Sequence, residues 1–181
     1  MARIDEVKRE NLTPRQLKLY DGIMRTRPRG SLSGPFSVWI NTPDIAEPAD
    51  GLANCFRVNP KLEKRLIELI ILLMCRDATV KYAWSVHAPL ARQAGLTPET
   101  VDAIRARRRP DFKRDDERLV YDFVAELSAA KTVTGATFDR AKAALGLEGV
   151  IEVVSLAGLY GMIGMVLNVF DVSPQSGKPL T

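Results

Sequence analysis

The sequence predicts an all-α domain, on three observations. Thr13-Pro14, Thr42-Pro43, Asn59-Pro60 and Thr97-Pro98 each set a capping side chain before a proline, the usual opening of a helix. Apolar residues at helical spacing follow each pair. Alternation over five or more residues, the mark of a half-buried strand, is almost absent, and the Asp-Gly pair at Asp50-Gly51 stands without it.

Taken in order, the chain reads as helices after Thr13, Thr42, Asn59 and Thr97, with a Pro- and Gly-bearing loop from Arg27 to Pro35. A second loop, Arg105 to Arg114, holds the one basic cluster, Arg107, Arg108 and Arg109, and reads as a solvated connector. Asp115 or Asp116 caps a helix through Leu119, Val120, Phe123, Val124 and Leu127, and Thr134 caps another through Phe138, Ala141 and Ala144. Gly146 is read as its C-terminal stop. From Val150 to Phe170 the chain is apolar enough to span a bilayer, but Glu152 and Asn168 favour a buried core or subunit-interface helix.

Composition narrows the function classes. With 181 residues, 46% hydrophobic and 27% charged, the chain is one globular domain with a packed core rather than a disordered or low-complexity segment. A net charge of +4, without aromatics interleaved among the basic residues, makes only a weak nucleic-acid footprint, and no nucleic-acid partner is expected. No Gly-rich phosphate loop occurs. Cys55 and Cys75 are twenty positions apart and His87 is the single histidine, which leaves no thiol or imidazole set for a metal. The start, MARIDEVKRE, lacks the apolar core of a secretory signal, so a cytoplasmic protein with reduced thiols is expected.

Chemistry concentrates between Asn59 and Gly95, which predicts a helical hairpin. Its first helix runs from Pro60 to about Arg76, and from Leu66 to Met74 every residue is apolar except Glu68. Burial on most sides requires a partner for that carboxylate. Lys64, Arg65 and Arg76 are available, and so is His87 on the second helix, roughly Thr79 to Gln93, where Pro89 is expected to introduce a bend. Val80, Ala83 and His87 share one face of that helix at i, i+3 and i+7, and an antiparallel return carries this face against Glu68. A carboxylate that holds an imidazole in one tautomer is an acid–base pair. Tyr82, Trp84 and Cys75 read as core.

The stretch R-L-I-E-L-I-I-L, followed by K-Y-A-W-S-V-H-A-P-L-A-R-Q-A-G-L, resembles the carboxymuconolactone decarboxylase family, which includes the AhpD-like peroxidases. The likeness extends more weakly to L-T-P-R-Q-L-K-L-Y-D, to G-P-F at Gly34 to Phe36, to N-T-P-D and to G-L-Y in the last helix. It implies a single AhpD-like helical bundle around the central hairpin, with residues 1–58 as an N-terminal helical extension and 59–181 as the core. It also implies a homo-oligomer, trimeric or hexameric. In AhpD-like members a glutamate and a histidine serve a C-x-x-C pair, and the matching positions here are Glu68 and His87. The cysteine positions are Val80 and Ala83, neither of which can replace a thiolate nucleophile.

The leading expectation is therefore the decarboxylase chemistry that the resemblance implies, with no thiol, metal or organic cofactor. Glu68 and His87 are the catalytic candidates, and a small carboxylated or lactone compound is the substrate. Tyr82, Lys81, Arg76 and Trp84 are the substrate-binding candidates, and Phe36 and Trp39 are further lining from the extension. Two alternatives stay open. One is a peroxide or thiol–disulfide activity that uses Cys75; the other is a non-catalytic oligomeric protein that binds a small molecule.

Overall fold

Three of the four proline-marked starts open helices in the computed structural model, which describes residues 3–5, 7–26, 32–174 and 180. They are α1 (Pro14–Thr26), α3 (Pro43–Val58) and α6 (Pro98–Arg105). At α1 the cap is reciprocal: the Gln16 amide N–H donates to Thr13 Oγ1 over 3.4 Å, and the Thr13 amide N–H donates to Gln16 Oε1 over 2.9 Å. The Thr97 hydroxyl accepts from the Thr100 amide at α6. Between α1 and α3 stands α2 (Pro35–Trp39), a short helix that begins at the last residue of the expected loop; residues 27–31 of that loop lie outside the described ones.

The fourth start is displaced. Asn59-Pro60 does not open a helix, because the amides of Lys61 and Leu62 donate to the two carboxylate oxygens of Glu152, at 2.8 and 3.0 Å. The central helix α4 (Lys64–Asp77) begins only after that turn. It is followed by α5 (Lys81–Gln93), α7 (Asp115–Ala130) and α8 (Gly135–Val169), with no strand among the described residues. Eight consecutive residues of α4, Arg65 to Leu72, are buried, because α5, α7 and α8 pack around it. The α4–α5 hairpin turns at Thr79, whose φ is 49°, and closes with the Val80 amide on the Cys75 carbonyl at 2.7 Å. Pro89 sits inside α5 without interrupting it.

Gly146, read as a stop, is a break: its φ of 70° and ψ of 171° divide α8 into two helical runs. Beyond it α8 runs parallel to α4, held at both ends by Glu152 and Asn168 of its apolar stretch. Glu152 ties the lead into α4, and the Asn168 amide donates to the Ala78 carbonyl at its far end over 2.8 Å. At the same far end Gly164 lies against the α4–α5 turn, where an added Cβ would lie 2.8 Å from Val80 Cγ2. By length and composition α8 could cross a membrane, but Val153, Leu156, Leu159, Ile163 and Leu167 are buried in the core.

The basic loop is exposed at Arg107, Arg108 and Arg109 and is tied to the fold by a few contacts. Arg109 donates to both oxygens of Asp122 and lies over the Tyr121 ring; Arg107 donates to the Thr79 hydroxyl, and Arg105 pairs with Asp102.

Candidate active site

Because α4 is surrounded, Glu68 on it is buried and must be served by a neighbouring helix. The neighbour is α5: His87 Nδ1 lies 2.8 Å from Glu68 Oε2, and the two side chains are 17% and 6% exposed. Lys64, Arg65 and Arg76 are not the partners. The third helix around α4 adds a residue the motif does not contain. Tyr160, on the buried side of α8, places its hydroxyl 2.9 Å from His87 Nε2, with the two rings edge to face at 5.3 Å and 87°. Glu68, His87 and Tyr160 thus form a continuous line of hydrogen bonds across α4, α5 and α8.

This line forms part of the wall of a cavity of about 530 Å³. Ile67, Ile71, Phe36, Phe56, Leu90 and Ile163 supply apolar wall, and Arg57 and Lys64, both exposed, supply positive charge. The Arg57 guanidinium is steadied by the Thr26 carbonyl at 2.6 Å and by the Asn54 side chain at 3.1 Å. A cavity of this size, mainly apolar with a few convergent polar groups, has the character of a small-molecule site.

The other sequence candidates are placed as follows. Tyr82 lines the cavity and is buried, with its ring tip against Gly34. The φ of 66° at Gly34 and the 2.7 Å from an added Cβ to Tyr82 Cε1 both require glycine there. Phe36 lines the cavity, whereas Trp39 packs edge-on behind it, ring centroids 5.4 Å apart. Trp84 is a core residue, 2% exposed, away from the cavity wall. Lys81 is exposed at the start of α5 and also lies off the wall. Arg76 lies eight residues past Glu68, about 12 Å farther along the helix at its usual rise. Burial and then the nearby Arg107 lower its pKa, and it does not touch the cavity. Arg57 and Lys64 are the cations at the cavity; their contribution depends on how α3 and the lead into α4 come together, which spacing does not reveal.

The thiol positions are empty of sulfur. Ala83 faces the cavity, and Val80 is buried under α8. Cys75 is 1% exposed, and burial together with the negative Glu68 pushes its thiol well above the usual range. Cys55 is exposed on α3. Among the described residues no three of His, Cys, Asp and Glu come together as a metal would require.

Residues 48–134 match the carboxymuconolactone decarboxylase family. Over this segment the chain is similar to that family. The segment contains Glu68 and His87 but stops short of α8, so Tyr160 enters the site from outside it. Solved structures agree on the fold. One is a peroxidase-related protein of Ralstonia eutropha JMP134, described as an alkylhydroperoxidase AhpD core, with TM-score 0.79 and 16% identity over 97% of this chain and 93% of that one. A peroxidase-related protein of Silicibacter sp. TM1040 gives 0.78 and 14% over 97% and 92%. A variant of the debrominase Bmp8, in complex with 2,3,4-tribromopyrrole, gives 0.75 and 18% over 97% and 95%. At these identities the likeness speaks to the fold, an all-α AhpD-like bundle around the α4–α5 hairpin. No curated protein matches the chain by sequence.

Proposed function

We propose that this protein is a member of the carboxymuconolactone decarboxylase family, a cytoplasmic, cofactor-independent carboxy-lyase that acts on a small carboxylated or lactone compound. The observation that carries the reading is the Glu68–His87 hydrogen bond at a cavity wall that has alanine where the dithiol branch has cysteine. Decarboxylation needs a proton donor and cations for the carboxylates, and no thiol. The bond from the ring carbon to the carboxylate breaks, its electron pair is taken up by the unsaturated lactone, and a proton closes a new C–H bond at a distant carbon. His87 supplies that proton, and Glu68 orients the ring and stabilises its charged form. Arg57 and Lys64 are the cations within reach of a ligand in the cavity. Burial of Cys75 weighs against the peroxide reading.

The test is carbon dioxide release from γ-carboxymuconolactone by the purified protein, with His87→Gln beside it. Release that disappears in the variant, at unchanged helix content, supports the reading. No release by the wild type excludes that substrate. A ligand that occupies the cavity without turnover, and tolerates Glu68→Gln, points instead to a binding protein.

We also propose that copies assemble, as a trimer or hexamer, through the outer side of α8. Leu147, Ile151, Val154, Met165 and Val169 are exposed along it, and no charged residue lies between Glu152 and Asp171. Sedimentation velocity should show an assembly that Met165→Glu dissociates; a monomeric wild type overturns the proposal.

A further inference from the structure

Both nitrogens of the His87 ring are engaged: Nδ1 with the Glu68 carboxylate and Nε2 with the Tyr160 hydroxyl, at 2.8 and 2.9 Å. To pass a proton straight to a bound molecule, the imidazole would first have to break one of these bonds. A phenol differs, because its oxygen carries one proton and two lone pairs and keeps valence for a second partner while bonded to Nε2. Tyr160 lines the cavity beside His87. Its place is fixed by the seating of α8 on α4 and α5, through Asn168 on the Ala78 carbonyl and Gly164 on Val80.

We infer that Tyr160 is a catalytic residue whose phenolic oxygen exchanges the proton with the bound ligand, while His87 and Glu68 reload it. The inference rests on the acid–base reading above and changes one step of it: His87 remains the source of the proton, but Tyr160 hands it to the ligand. Two states of the line follow. With the imidazole neutral, Nδ1–H donates to Glu68 and Nε2 accepts the Tyr160 O–H. The phenolic oxygen then takes a proton from the ligand as its own passes to Nε2, and the line acts as a base. With the imidazole charged, Nε2–H donates to the phenolic oxygen and the Tyr160 proton is directed at the ligand. When that proton goes to carbon, the Nε2 proton replaces it and a neutral imidazole remains. Decarboxylation uses this second state: the electron pair released with carbon dioxide ends in the new C–H bond, and a solvent proton recharges the imidazole. One proton moves in either direction, and Glu68 stays a carboxylate throughout.

A single histidine in the chain makes the line directly observable. In protein labelled with 15N-histidine, proton–nitrogen correlation spectra of the neutral form should show the proton on Nδ1. Tyr160→Phe, which removes one oxygen, should move the Nε2 resonance toward that of a free lone-pair nitrogen. A wild-type spectrum with the proton on Nε2, or an Nε2 signal indifferent to Tyr160→Phe, overturns the inference, and the first of these needs no variant. In the carbon dioxide assay Tyr160→Phe should lower kcat by roughly 10²–10⁴ with little change in KM. If it keeps wild-type kcat while His87→Gln loses turnover, the acid–base reading survives and Tyr160 is not the exchanging group. A wild type that releases no carbon dioxide sinks the decarboxylase reading instead, and the nitrogen spectra then decide this inference alone.

Discussion

One turn of α4 carries two buried charged residues, and their surroundings could hardly differ more. Arg65 points between α4 and α7, where its guanidinium meets Glu117 at 2.7 Å, Asp116 at 2.7 Å and Glu63 at 3.2 Å. Glu68 meets one imidazole, at the wall of a cavity. Burial is the same, each charged side chain being 6% exposed. The difference lies in the partner and in access. A guanidinium cannot release its proton at any working pH, and its donors here are matched by carboxylates with no room for a ligand. An imidazole exchanges its proton readily, and its second nitrogen leads through Tyr160 to open space. Burial of a charge therefore marks a clasp in one place and a site in the other.

The contrast is broken most severely by Arg65→Met, which leaves Glu117 without its cation and Asp116 with only the exposed Arg114. The cost should be about 3–5 kcal/mol in urea unfolding, with turnover per folded molecule unchanged. A cost below about 1 kcal/mol would mean that Arg65 is not a clasp. Acid should narrow the gap between the two proteins. Burial alone would raise the Asp116 pKa, but hydrogen bonds from Arg65 and Arg114 outweigh it and hold the carboxyl below its usual value. A depressed carboxylate contributes fully above its unfolded pKa and loses that contribution as pH falls through the folded one. The wild-type advantage should therefore shrink below about pH 4.

Glu68→Gln should give the reverse profile. The amide oxygen can still accept from His87 Nδ1–H, so stability should change by only about 1 kcal/mol. The charge that stabilises the imidazolium is gone, and kcat should fall by roughly 10²-fold or more. A variant that unfolds without losing activity would place Glu68 with Arg65 as a clasp. Gly34→Ala is intermediate. The φ of 66° and the approach to Tyr82 should cost about 1–3 kcal/mol, and a displaced Tyr82 ring should raise KM more than it lowers kcat.

How much of this could be read from the sequence follows the range of the interactions. Thr13 and Thr97 open their helices through contacts three residues long, which spacing displays. Asn59-Pro60 misled because the group that captures its turn, Glu152, is ninety positions away. The pairing of Glu68 with His87 was accessible because a hairpin joins the two helices and fixes which faces meet. Tyr160 was not, since seventy-three residues separate it from His87 and only the docking of α8 brings them together. A tyrosine on the buried side of the last apolar helix was the one available signal, and it reads equally well as core. Arg76 and Lys81 mark the opposite limit: close in sequence to the motif, they lie off the cavity because helix rise and rotation carry them away from it.

The third buried titratable group of α4 gives the smallest effect and the sharpest test of what burial alone provides. Cys75 is packed in the core, and its thiol is pushed upward by desolvation and by the nearby carboxylate, so the reactive thiolate is suppressed. Cys75→Ala should cost about 1 kcal/mol, in the range of ordinary core changes, and leave turnover where it was. In native protein a thiol reagent should titrate Cys55 at once and reach Cys75 only on unfolding. Fast modification of Cys75, or loss of activity in Cys75→Ala, would reopen the thiol chemistry that Val80 and Ala83 argue against. Unreactivity would leave Glu68 as the one buried titratable group of α4 whose partner can both move a proton and reach a ligand.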